Sequence, residues 1–174
     1  MKREYKYNIE HNDFIDFQLH YLKTNPELQS SLKKNLIIII IAVYIIVLIG
    51  MFIYFKSSLF MLLIVALIMI AVSVLQIISY KKRVQKNIVK KVLSYIKTGR
   101  LDDIFGEKIL TVYDEKIVFN ETKGIKNFNK SDIKKIEQSK LCIFIYTDEM
   151  SAIIVPKKNL TKEDIDFLVS YKKV

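Results

Sequence analysis

Between residue 36 and residue 80 this chain carries one formal charge, Lys56, and nothing else in it restricts the fold so strongly. Residues 36–55 are uncharged throughout, and fifteen of them are Leu, Ile, Val or Phe. As an α-helix they reach about 30 Å, the thickness of a bilayer's hydrocarbon core. Their transfer from water to lipid sums to about −5 to −9 kcal/mol on the insertion scale. Isoleucine is a mediocre helix former in water. In lipid every backbone N–H and C=O must be paired within its own segment, and that requirement overrides the preference. A soluble alternative would need a domain large enough to enclose such a helix on every side, and 174 residues do not supply one.

A second apolar run covers residues 59–80, and only 56–58 separate the two. Three residues cannot cross a bilayer, so the spans are expected to run antiparallel as a hairpin. Lys33 and Lys34 precede the first run, while Lys81, Lys82, Arg83, Lys86, Lys90 and Lys91 follow the second. The turn offers Lys56 alone, so the positive-inside rule expects both termini in the cytoplasm and the chain in the cell membrane.

Ser73, Gln76 and Ser79 are the polar residues of the second run, spaced to share one helical face. With no acid, arginine or histidine beside them they are expected to bond the partner helix, where Ala42 and Gly50 permit close approach. A solute path is the other reading. Two spans per chain form a pore only by assembling copies, so it implies a homo-oligomer.

Residues 1–35 read as a short strand with Tyr5, Tyr7 and Ile9 on one side, then an amphipathic helix capped by Asn12 or Asp13. Pro26 is expected to interrupt that helix, with a juxtamembrane helix feeding the first span. Residues 81–100 hold eight basic residues and no acidic one, with a stripe of Val84, Ile88, Val89, Val92, Leu93 and Ile96 opposed by Lys86, Lys90 and Lys97. That pattern suits a helix lying on anionic inner-leaflet lipids, or one that extends the span and packs its stripe on a soluble domain. Topology already explains this charge, so no nucleic-acid partner is expected. Thr98-Gly99 reads as the helix stop.

From residue 101 the pattern changes to short strands: 107–113 and 116–120 around Asp114-Glu115, then 124–128, 133–137, 141–146 and 151–155. A final helix opens at Thr161, with Asp164 completing a capping box. Six strands closed by one helix suggest an antiparallel sheet or partial barrel, and so an α+β membrane protein with a β domain over 101–174.

Signals for chemistry are sparse. Cys142 is the only cysteine, flanked by apolar residues, and is expected to be a small buried side chain. His11 and His20 are nine apart, which does not make a metal site on one helical turn. The four glycines are isolated, so no phosphate-binding loop is formed. Neither catalytic residues nor a metal nor a cofactor is expected, and the chain is read as a non-enzyme.

At this point several motifs fall in a familiar order: Asp13, Phe14, Phe17, Tyr21 and Leu22 before two adjacent spans and a basic helix, then Ile104-Phe105-Gly106 before a strand. Asp132-Ile133-Lys134-Lys135-Ile136 follows, and Ala152-Ile153-Ile154-Val155-Pro156-Lys157 precedes the last helix. In these the chain resembles the YcxB-like family of small bacterial membrane proteins. Relatives commonly carry an aromatic, often Trp, just before the Asp-Ile pair, where this chain has no Trp and Phe128 is the nearest substitute. The resemblance implies a C-terminal domain of pleckstrin-homology-like fold and carries no catalytic residues with it.

The expected function is that of a membrane-anchored interaction module, docking a protein partner or the inner leaflet through its cytoplasmic domain. A transport or bacteriocin-immunity component acting through an oligomerised hairpin is the alternative.

Overall fold

In the computed structural model, residues 2–54, 59–121 and 124–172 are described. The chain divides into two compact units. The stretch up to Tyr21 and everything from Val89 onward form one, and Leu22 to Ile88 form the other.

The first unit is α+β. Strand β1 (Arg3–Ile9) alternates strictly, burying Tyr5, Tyr7 and Ile9 while Glu4, Lys6 and Asn8 face solvent. It pairs antiparallel along its whole length with β2 (Gly106–Val112), from Arg3 opposite Val112 to Ile9 opposite Gly106. β3 (Lys116–Glu121) and β4 (Gly124–Asn129) complete a four-stranded sheet in the order β1-β2-β3-β4. A second sheet holds β5 (Lys135–Gln138), β6 (Cys142–Tyr146) and β7 (Ala152–Pro156), also antiparallel. Among the described residues the two sheets do not close into a barrel, although β1 lies beside β7.

The pairing of β1 is the main departure from the sequence reading, which set residues 1–35 apart from the C-terminal domain. Strand periodicity shows that Tyr5, Tyr7 and Ile9 need an apolar neighbour, but not which one. β2 supplies it: Leu110 and Val112 are fully buried on the shared face.

Helix α1 (His11–Thr24) covers the second sheet. Phe17 sits 5.4 Å from Phe144 and 6.2 Å from Tyr146, ring to ring, and His20 stacks at 4.8 Å on Phe144. β6 is buried at all five positions because Cys142, Phe144 and Tyr146 turn toward α1 while Ile143 and Ile145 fill the opposite face. The cap of α1 lies one turn earlier than expected. Glu10 is the N-cap, and its N–H donates to Asp13 Oδ2 at 2.8 Å, which places Asp13 at the third helical position. At the other end of the unit Thr161 caps α4 (Lys162–Ser170) as expected, with Asp164 reciprocating. Helix α4 packs on β5 and β6, burying Leu168 completely.

The second unit is helical. Leu28 N–H donates to Asn25 Oδ1 at 2.9 Å, so Asn25 caps α2 (Pro26–Tyr54) with Pro26 at its first position. Pro26 therefore starts a helix, because its missing N–H is one the first turn leaves unpaired anyway. The juxtamembrane segment and the first apolar run form one uninterrupted helix. The same is true of α3 (Leu59–Lys97), which carries the second apolar run directly into the basic segment. The helix stops where Gly99 takes a φ of +69°. The N–H groups of Gly99 and Arg100 then bond Ile96 O and Tyr95 O, giving a Schellman end. Two helices long and apolar enough to span a membrane are thus present, Pro26–Met51 and Leu63–Lys97. The expected turn at 56–58 lies outside the described residues.

Candidate functional site

The α+β unit contains an open cleft of about 320 Å³ where β1, β3 and β4 meet the β6–β7 turn. Its walls are Phe14, Phe17, Phe119 and Phe128, and its rim includes Lys126, Glu121 and Met150. Lys126 and Glu121 form an ion pair across the β3–β4 hairpin. Lys108 also lines the cleft, although its side chain is only 1% exposed. It occupies a core-facing position of β2 opposite Tyr7, and its ammonium group donates to Asp103 O at 2.9 Å. One large apolar side chain projects from the rim: Met150 is 71% exposed. Asp148 and Glu149 immediately precede Met150, so the β6–β7 tip is apolar with an acidic flank.

Reactive side chains are accounted for by packing. Cys142 Sγ lies 3.7 Å from Asp13 Oδ1 with no exposed surface. Burial, reinforced by the charges of Asp13 and Asp16, pushes its thiol far above the ordinary range, which favours the protonated thiol over the reactive thiolate. His11 packs edge-on against Phe105 with ring centres 4.7 Å apart, and His20 Nε2 is 3.0 Å from Glu137 Oε2. Burial alone would raise the Glu137 carboxyl, but hydrogen bonds from Lys135 and His20 outweigh it and hold the group below its usual range. Tyr7 Oη is buried with no hydrogen-bond partner among the described residues, and burial pushes its phenol upward. Among those residues, no group of three or more His, Cys, Asp or Glu side chains is arranged to hold a metal.

The residues singled out in the spans fall on one side of α3. Ser73, Gln76, Ser79 and Tyr80 are half-buried while their neighbours along the helix are exposed. Ser73 Oγ donates to Met69 O at 2.8 Å and lies 3.2 Å from Tyr44 Oη on α2. Gln76 does not join that contact. It lines a separate cavity of about 210 Å³ with Leu36, Ile39, Tyr80 and Arg83. Lys81, Lys82, Arg83, Lys86, Lys90 and Lys91 are all exposed. Sequence reasoning missed Tyr44 as the partner of Ser73, although a lone hydroxyl among isoleucines was a visible signal. It also missed the buried Lys108, whose place on the core face follows only from the β1–β2 register.

The family model described as YcxB-like protein matches residues 112–171, the segment from the end of β2 through α4. This agrees with the resemblance carried by the Asp132 and Ala152 motifs, both inside the matched segment. No curated protein and no solved structure matches the chain.

Proposed function

We propose that this chain is a membrane-anchored interaction module: α2 and α3 cross the plasma membrane as a hairpin, both termini are cytoplasmic, and the α+β unit docks a protein partner. One observation carries the topology. β1 precedes both spans and β2 follows both, yet they form a continuous antiparallel ladder, which requires an even number of crossings between them. Basic residues at both cytoplasmic ends point the same way. A four-stranded sheet, a three-stranded sheet and a C-terminal helix support a pleckstrin-homology-like domain, with the hairpin inserted between its first two strands.

For the docking surface, the cleft rimmed by Lys126 and Met150 suits a protein better than the leaflet. Asp148 and Glu149 would be repelled by anionic lipid, whereas an apolar anchor with basic neighbours would meet both features. The basic face of α3 from Lys81 to Lys91 is the part suited to the leaflet. No Asp, Glu, Lys, Arg or His lies in the described apolar runs to carry solute, so a channel or immunity role has no comparable support.

The test is crosslinking in native membranes followed by purification, comparing the natural chain with Met150→Asp and Phe128→Asp. A discrete protein should be recovered with the natural chain and lost with both variants. Recovery of the bare chain alone, or of the same partner with all three, would refute the proposed docking surface.

A further inference from the structure

The helical unit holds a second cavity that the docking role does not use, a groove of about 480 Å³ formed by the end of α1, the first turns of α2 and the middle of α3. Its two halves differ in chemistry. Leu32, Leu36, Ile77 and Val84 make an apolar floor. Lys23, Lys33 and Lys81 stand around the other half with Gln29, Gln85 and Tyr80, and no acidic residue lines it. Gln29 is oriented by donating its amide to Leu22 O.

The groove falls where the apolar runs end: Leu36 begins the first and Tyr80 closes the second, with Lys33 and Lys81 just beyond each. On the membrane reading proposed above, that is the level at which acyl chains give way to phosphates. A tyrosine belongs at that depth, and basic pockets between helices on the cytoplasmic side recognise anionic headgroups. We infer that this groove binds one anionic phospholipid, with its phosphate held by Lys33 and Lys81 and closed over by Lys23, and an acyl chain along Leu36 and Ile77. The groove favours a lipid over a soluble phosphate because its apolar floor runs continuously into the spans. It also differs from the general adhesion of the α3 basic face, since Lys86, Lys90 and Lys91 do not line it.

Native mass spectrometry of the full chain in detergent tests this, with dioleoyl phosphatidylglycerol or dioleoyl phosphatidylcholine as the added probe. One saturable phosphatidylglycerol adduct is expected per chain, without an equivalent phosphatidylcholine adduct and undiminished by excess glycerol 3-phosphate. Lys33→Ala and Lys81→Ala should each weaken it about 5-fold and the double variant about 25-fold. Lys86→Ala with Lys90→Ala, retaining the groove, should leave it unchanged. Circular dichroism in the same detergent confirms that each variant keeps its helices. Equal binding of both lipids, displacement by glycerol 3-phosphate, equal loss in the Lys86/Lys90 control, or a mass showing a second chain in place of lipid would overturn the inference. If the natural chain is found in the membrane fraction but shows no adduct, the lipid site fails alone. If it is absent from that fraction, the membrane reading itself fails.

Discussion

Tyr7 gives the sharpest quantitative consequence of the β1–β2 ladder. Its side chain is 4% exposed, and its hydroxyl has no hydrogen-bond partner among the described residues. A buried hydroxyl without a partner costs about 1–3 kcal/mol of lost hydration. Tyr7→Phe removes that cost and leaves a void no larger than one oxygen, for a net gain of about 1 kcal/mol. In a domain near 100 residues this raises the melting temperature by about 4–8 °C. Tyr7→Ala instead deletes the ring from the core and costs about 3–5 kcal/mol, a large share of a small domain's stability. Cys142 provides the assay. It is the only thiol and has no exposed surface, so a thiol-reactive fluorogenic dye reports opening of the α+β unit and is silent to the hairpin. On heating, dye uptake should come later in Tyr7→Phe and much earlier in Tyr7→Ala. Uptake several degrees earlier in Tyr7→Phe would show that the hydroxyl is satisfied and the reasoning wrong. A normal melt in Tyr7→Ala would show that β1 does not belong to the domain.

Three further outcomes follow. Thr161→Ala removes the hydroxyl that accepts from Asp164 N–H at 3.2 Å, and should cost about 1 kcal/mol in the same thiol melt. The Glu137 carboxyl has its pKa lowered in the folded chain, so its contribution is present above the ordinary glutamate value of about 4.3 and is lost as pH falls through the lower folded value. Glu137→Gln should therefore lower the neutral plateau of a stability–pH profile, flatten its acid limb below about pH 4.3, and converge with the natural chain at lower pH. In the hairpin, a double-mutant cycle of Ser73→Ala and Tyr44→Phe, read by steric trapping in bicelles, should give a coupling of about 0.6 kcal/mol. A coupling near zero would mean the two hydroxyls do not interact.

What the sequence disclosed and what it concealed divide along the range of the forces involved. The apolar runs, the Thr161–Asp164 capping box and the Gly99 stop are set by residues within a few positions of one another, and each was legible. Strand alternation likewise marked Tyr5, Tyr7 and Ile9. The partner of that strand was not legible, because register is fixed by burial across the sheet and its complement lies on the far side of both spans. Pro26 shows a different ambiguity: the same residue breaks a helix in its interior and starts one at its first position, and Asn25 before it was the deciding signal. The candidate cleft was hidden for the first of these reasons. Lys108, Lys126 and Met150 line one cleft only after separated elements are paired. The groove of the helical unit joins Lys33 with Lys81, residues that the charge pattern offers as two independent topology signals.

The most direct measurement is an oxidative crosslink across β1 and β2 in carbonate-washed native membranes. Asn8 and Glu107 are opposed in the ladder and both exposed, so Asn8→Cys with Glu107→Cys, in a Cys142→Ala background, places two thiols within disulfide reach. The account predicts an intramolecular disulfide in the membrane pellet, and none when the second cysteine is moved one place to Lys108→Cys, on the opposite face. Failure of the Asn8–Glu107 pair to form, or recovery of the crosslinked chain in the carbonate supernatant, would contradict it.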